Sequence, residues 1–128
     1  MNDRDLMFLP AHEQLSMQVE RKISSVELVE ASFRRIRELD PKLNAFITLD
    51  EEGALTRASK ADAALAKGET LGPLHGVPIS VKDLEVTAGV KTTLGCDVFK
   101  DWVPDFDSSV VERVRKAGAV ILGKTNTP

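Results

Sequence analysis

The run Ala119-Val-Ile-Leu122 is the feature that most restricts the fold of this chain. Four consecutive apolar residues, β-branched at the centre, suit a strand covered on both faces, not a half-wet strand with alternating character. A strand of that kind belongs inside a parallel sheet, which needs helices on each side. Upstream, Val77-Pro-Ile-Ser-Val81 reads as another strand, with Pro78 confined to its start because proline cannot donate to the ladder. Between them, Ser109 with Glu112 has the form of a capping box. Behind it, Val110, Val111, Val114 and Ala117 form an apolar stripe, and Gly118 is the stop. Strand 77–82, helix 109–117 and strand 119–122 therefore make a βαβ-like unit, whose crossover places the two strands parallel.

The front of the chain reads as helical. Residues 11–22 form a short helix. A second starts at the Ser24/Glu27 capping box and carries Val26, Val29, Phe33 and Ile36 on one face. Asp40-Pro41 is expected to end it, because a residue before proline avoids the α region. Residues 43–49 form a short strand. An alanine-rich helix from Glu51 follows, with Leu55, Ala58, Ala61 and Leu65 on one side and Gly68 as its stop. Residues 84–107 read as irregular, with Trp102 and Phe106 as anchors. The expected organisation is a helical region with a short strand over 1–70, joined to the βαβ unit over 71–128 in one incomplete domain. Exposed strand edges and self-association are expected of such a piece.

Composition narrows the function. The net charge is -3 and no basic stripe is present, which argues against nucleic acid as a partner. Cys96 is the single cysteine, so neither an internal disulfide nor a zinc site of paired cysteines is possible. The apolar stretch in residues 1–10 is too short for a signal-peptide core, and no run approaches the ~18 apolar residues of a membrane span. A soluble cytoplasmic protein, with no membrane partner, is the expectation.

One motif and four residues invite a chemical reading. Gly118 through Thr125 matches the phosphate-loop pattern G-x-x-x-x-G-K-[ST]. A phosphate loop follows a strand and opens a helix, whereas here the four middle residues are the strand and a helix precedes them. Gly118 is better read as a helix stop, and Gly123 as the start of a turn. His75 and His12 have no metal-ligand spacing, and His75 suits a packing or hydrogen-bonding role in its loop. Nothing in the spacing supports Cys96 and His75 as nucleophile and base. Lys82 ends the strand at 77–82, with Ser80 on the same face and Ile79 and Val81 on the other. From pattern alone it is a solvated strand-end lysine. To act as a base near neutral pH it needs burial or neighbouring positive charge, and Asp83 must point elsewhere.

The order of motifs adds a further reading. Gly72-Pro-Leu-His-Gly-Val-Pro-Ile-Ser-Val-Lys82-Asp83 resembles the G-P-L-x-G-[VI]-P-[VI]-x-[VI]-K-D segment of amidase-signature enzymes. Gly89 to Gly95 is similar to that family's G-x-x-T-T-x-G-S. Asp107, Val110, Val111, Ala117-Gly118-Ala119 and Gly123-Lys124-Thr125-Asn126 are similar to its D-x-x-V-V…A-G-A…G-K-T-N. The likeness runs in order over most of residues 20–128. It implies an α/β fold, in which N-terminal helices precede a βαβ-like start of the family's mixed sheet, here truncated. It also implies amide hydrolysis by a Ser–cis-Ser–Lys triad. Lys82 would be the catalytic lysine, acting on a small-molecule amide without cofactor or metal. Cys96 departs from the family's usual serine. The Gly/Ser-rich segment that supplies both serines has no counterpart here, so the chain alone is expected to be inactive.

Within the resemblance, Lys82-Asp83-Leu84 differs from the K-D-N common in the amidotransferase A subunit that amidates misacylated tRNA. A stand-alone amidase is therefore favoured. The competing classes are a non-catalytic oligomerisation or interaction fragment and a nucleotide-binding protein. The last requires a rise in melting temperature with added nucleotide.

Overall fold

The computed structural model describes all 128 residues. The order is α1 (Asp3–Phe8), α2 (Ala11–Val19), α3 (Ser25–Leu43), β1 (Phe46–Leu49), α4 (Glu51–Ala66), β2 (Pro78–Lys82), α5 (Ser109–Lys116) and β3 (Val120–Thr125). A short 3-10 turn, Asp97–Phe99, lies in the long connection after β2. The three strands form one sheet in the order β1-β3-β2. β3 runs parallel to β2, as the crossover requires, and antiparallel to β1.

β3 is the central strand, and its residues are covered on both sides. Val120 and Leu122 pack on one face against Val29 and Phe33 of α3 and Ala54 and Ala58 of α4. Ile121 packs on the other face against Val81 and the fully buried Val111 of α5. The alanines of α4 let that helix approach the sheet closely. His75 is buried in the loop before β2, with Nε2 2.9 Å from the Ala61 carbonyl, which ties that loop to α4. Gly118 lies in the left-handed region at φ +93, and a Cβ there would come within 2.9 Å of His75 Cα. It therefore both stops α5 and seats the loop.

Four expectations are corrected. Pro41 lies inside α3, which continues to Leu43. Only the last turn lies beyond it, so little of the helical ladder is at stake. The Asp40 carboxylate also accepts from the Ala45 and Phe46 amides, bracing the exit into β1. The cap of α5 is Ser108, one residue earlier than the Ser109 pattern indicates. Its Oγ accepts from the Val111 amide while donating to Glu85 Oε2 at 2.7 Å. Val110, placed on the buried stripe, is exposed. Gly123 does not open a turn: β3 continues through Lys124 and Thr125, and the Gly123 backbone passes close to Thr48 of β1.

Helix α1 has no counterpart among the sequence-based expectations. Its Leu6 joins Leu28 and Ala31 on a second buried face of α3, apart from the Val29/Phe33 face. The Ser24/Glu27 capping box is present as expected. The Ser24 amide donates to the Glu27 carboxylate and holds it below the usual glutamate range.

A Cβ added at Gly123 would collide with the Thr48 carbonyl oxygen and lie 3.0 Å from Leu49 Cα. Gly123→Ala should therefore part β1 from β3 and lower unfolding stability by about 1–3 kcal/mol. Denaturant titration checks the magnitude, and loss of amide protection in 46–49 locates it.

Candidate active site

Two lysines meet at the carboxyl ends of the parallel strands, where open α/β sheets place their sites. In register, Val81 is opposite Lys124 and Lys82 is opposite Thr125. Adjacent positions on β2 face opposite ways, so the two amines are sorted to different environments. Lys82 is exposed, and its amine makes neither a hydrogen bond nor an ion pair with the rest of the chain. Lys124 is completely enclosed, at 0% exposure.

The enclosure of Lys124 is a polar one. Its Nζ donates to the Glu85 carbonyl at 2.7 Å and to Thr92 Oγ1 at 2.9 Å, and lies 3.5 Å from Asp83 Oδ1. Asp83 is equally enclosed. Its carboxylate accepts from the Thr93 amide at 3.1 and 3.2 Å and from the Thr93 hydroxyl. The backbone continues the tie. The Asp83 amide donates to the Thr125 carbonyl, and the Leu94 amide donates to the Asp83 carbonyl. Burial pushes the Lys124 ammonium below the usual lysine range, opposed by the charge and hydrogen bond of Asp83.

Asp83 thus points away from Lys82, as a basic role for Lys82 requires. The second carboxylate downstream is also engaged, since Glu85 accepts from the Ser108 hydroxyl. Lys124 is the residue that the sequence pattern undervalues. The phosphate-loop match falls on it, but a lysine fully enclosed and spent on three partners cannot bind phosphate. The one signal available in the sequence is its position four residues into an otherwise apolar strand.

The remaining candidates do not converge. His75 hydrogen-bonds α4, as its loop position suggested, and Cys96 is exposed at the start of the 3-10 turn. Neither bonds the other. A small depression of ≈ 230 Å³ beside the sheet is lined by Ile47, Thr93, Gly95, Cys96, Asn126 and Thr127 among others. No group of three or more His, Cys, Asp or Glu side chains is placed to hold a metal. No helix is long and apolar enough to cross a membrane.

The family model Amidase matches residues 27–128, the stretch that contains both lysines and all three strands. The chain belongs to the amidase signature family. It is 46% identical over 122 residues to the A subunit of glutamyl-tRNA(Gln) amidotransferase from Acidothermus cellulolyticus, a match that covers 95% of this chain and 24% of that protein. It is 54% identical over 106 residues to the corresponding protein of Azoarcus sp., covering 83% of this chain and 22% of that protein. Among solved structures, the native peptide amidase of Stenotrophomonas maltophilia superposes with a TM-score of 0.87 at 35% identity, over 93% of this chain and 25% of that one. The chain spans about a quarter of the length of these relatives.

The different burial of the two lysines sets their mutational costs apart. Lys124→Met leaves the buried Asp83 carboxylate without its counter-ion and should cost about 3–5 kcal/mol. Lys82→Met at an exposed position should stay within about 0.5 kcal/mol. Both are read by urea unfolding.

The pH dependence has a definite sign. Above its depressed folded value Lys124 sheds its proton in the native state, while the unfolded chain keeps one up to ~10.4. The unfolded state then binds more protons, so this group's contribution to stability rises with pH across that window. Against Lys124→Arg, which does not titrate there, the wild-type advantage should grow as pH is raised. A constant difference would contradict it.

Proposed function

We propose that this chain is the amino-terminal part of an amide-cleaving enzyme in which Lys82 is the general base of a Ser–cis-Ser–Lys triad. The observation that carries the reading is the position of Lys82. It ends a parallel strand with its amine uncommitted, while the adjacent acid is locked away on the other face. A lysine becomes a base when water is removed from around it. Lys82 stands open to solvent here. The segment that brings the serines would therefore also have to cover this amine. A lysine in that position takes the proton of the bridging serine, which in turn activates the nucleophilic serine.

The substrate is a linear amide of small-molecule size. The chemistry calls for no metal or cofactor, because proton transfer and acyl transfer are both carried by side chains. We place the enzyme in the cytoplasm, in keeping with its single cysteine. The glutamyl-tRNA(Gln) amidotransferase relatives support a second reading, as the A subunit of such an amidotransferase, at 46% identity over nearly the whole chain. Leu84 argues for the stand-alone amidase, as the position after Lys82-Asp83 is commonly asparagine in those subunits. Hydrolysis of free glutamine compared with that of simple amides distinguishes the two.

The 128-residue chain alone should not turn over an amide. In the enzyme that continues past residue 128, Lys82→Ala should lower kcat by about 10²–10⁴-fold, the usual worth of a general base. Its melting temperature should stay unchanged. Retention of full activity by Lys82→Ala would refute the assignment.

A further inference from the structure

Asp83 and Glu85 are the carboxylates nearest to Lys82 in sequence, and either could spoil it as a base if it turned toward the amine. An anion beside an amine stabilises the ammonium form and keeps the proton on. Along β2 and β3 the immediate neighbours of Lys82 are Ser80 on its own face and Thr125 in register, neither of them charged, while α3 presents Arg35, paired with Glu38, beside Ser80. Glu85 is drawn off by the Ser108 hydroxyl, at 2.7 Å. Asp83 is drawn to the opposite face by two groups, Thr93 and Lys124. Thr93 supplies hydrogen bonds but no charge. Lys124 supplies the only cation that Asp83 meets, and it is itself fixed by Glu85 O and Thr92 Oγ1.

We propose that Lys124 is a positioning residue for the proposed reaction: it holds the Asp83 carboxylate inside the protein and so keeps that acid away from the Lys82 amine. The inference rests on the reading of Lys82 as the base. Lys124 never touches substrate, since it is wholly enclosed. Without it, the Asp83 carboxylate loses its counter-ion in an enclosed site. A buried anion in that position is driven to find water or another cation. The residue immediately before Asp83, at the end of β2, is the exposed Lys82, whose amine has no partner.

The test can be made on the 128-residue chain without any activity. Acetylation of individual lysines by a limiting dose of acetic anhydride is quantified by mass spectrometry, with exposed Lys60 on α4 as the internal reference. Only the unprotonated amine reacts, so the rate at Lys82 reports how firmly its proton is held. In Lys124→Met the Lys82 rate relative to Lys60 should fall about tenfold, equivalent to one unit of amine basicity. Lys124→Gln removes the charge but keeps a hydrogen-bond donor for Glu85 O and Thr92 Oγ1. It should show the same fall even if the methionine variant does not fold.

Asp83→Asn combined with Lys124→Met should restore the wild-type rate at Lys82, because no acid remains to be released. Lys124→Arg should also keep the wild-type rate. A purely structural role would lower the melting temperature of all these variants and leave the ratio of Lys82 to Lys60 unmoved. An unchanged ratio in Lys124→Gln overturns the proposal. Loss of kcat in Lys82→Ala is a separate result, so failure of this proposal and failure of the base assignment are distinguishable.

Discussion

The buried ion pair between Asp83 and Lys124 is the interaction on which the functional end of this sheet depends. It joins three pieces of chain: the exit of β2, the end of β3, and the irregular connection at Thr92-Thr93. Taking two charges out of water is costly. It is tolerated here because the Lys124 ammonium has two further acceptors and the Asp83 carboxylate has both an amide and a hydroxyl donor. Apolar residues of similar size can make an equally stable core, but they would not pin this turn. What the pair supplies is a fixed direction for the chain just after Lys82.

That direction sorts the two lysines. Physical criteria applied without regard to accessibility would choose Lys124 as the base, because it is the lysine that burial perturbs. Its enclosure is what disqualifies it, since its ammonium is committed to three partners and no substrate can reach it. Lys82 has the opposite properties: it is accessible, uncommitted and still wet. A perturbed titration here marks the group that supports the site, and an unoccupied amine marks the group proposed to act. The family resemblance favours the same choice, because Lys82 stands at the lysine of the K-D segment within the matched region.

Much of the fold is legible in the sequence, for identifiable reasons. The apolar run at 119–122 and the Ser24/Glu27 capping box are local signals that no distant contact overrides, and β3, α3 and the parallel crossover follow from such signals. The misses have physical causes too. Helix α1 carries a local start signal in its Asn2 cap, which accepts from the Asp5 amide, but its six residues are too few to show an apolar period, and its one buried residue, Leu6, packs on α3. Asp40 keeps helical geometry ahead of Pro41 against the usual bias of that position, and with only the last turn beyond the proline little of the ladder is lost. Ser108 displaces Ser109 as the cap because a long-range bond to Glu85 holds it there. Lys124 reads as a turn or phosphate-loop residue because glycine normally signals a break in a strand. Here Gly123 marks only a close approach of backbones, and the strand runs on. The role proposed for Lys82 is legible only through the family resemblance. From alternation alone it is a solvated lysine, and in this chain its surroundings are those of one.

The most direct test of this account is nitrogen-15 NMR of the lysine side chains in the folded 128-residue chain. Proton exchange with water would be measured at each ammonium group. The account predicts one slowly exchanging ammonium, assigned to Lys124, with through-space contact to Thr92 and Asp83, and fast, solvent-like exchange at Lys82. Fast exchange at Lys124, or protection at Lys82 in its place, would contradict the division into one enclosed lysine and one open lysine on which the rest depends.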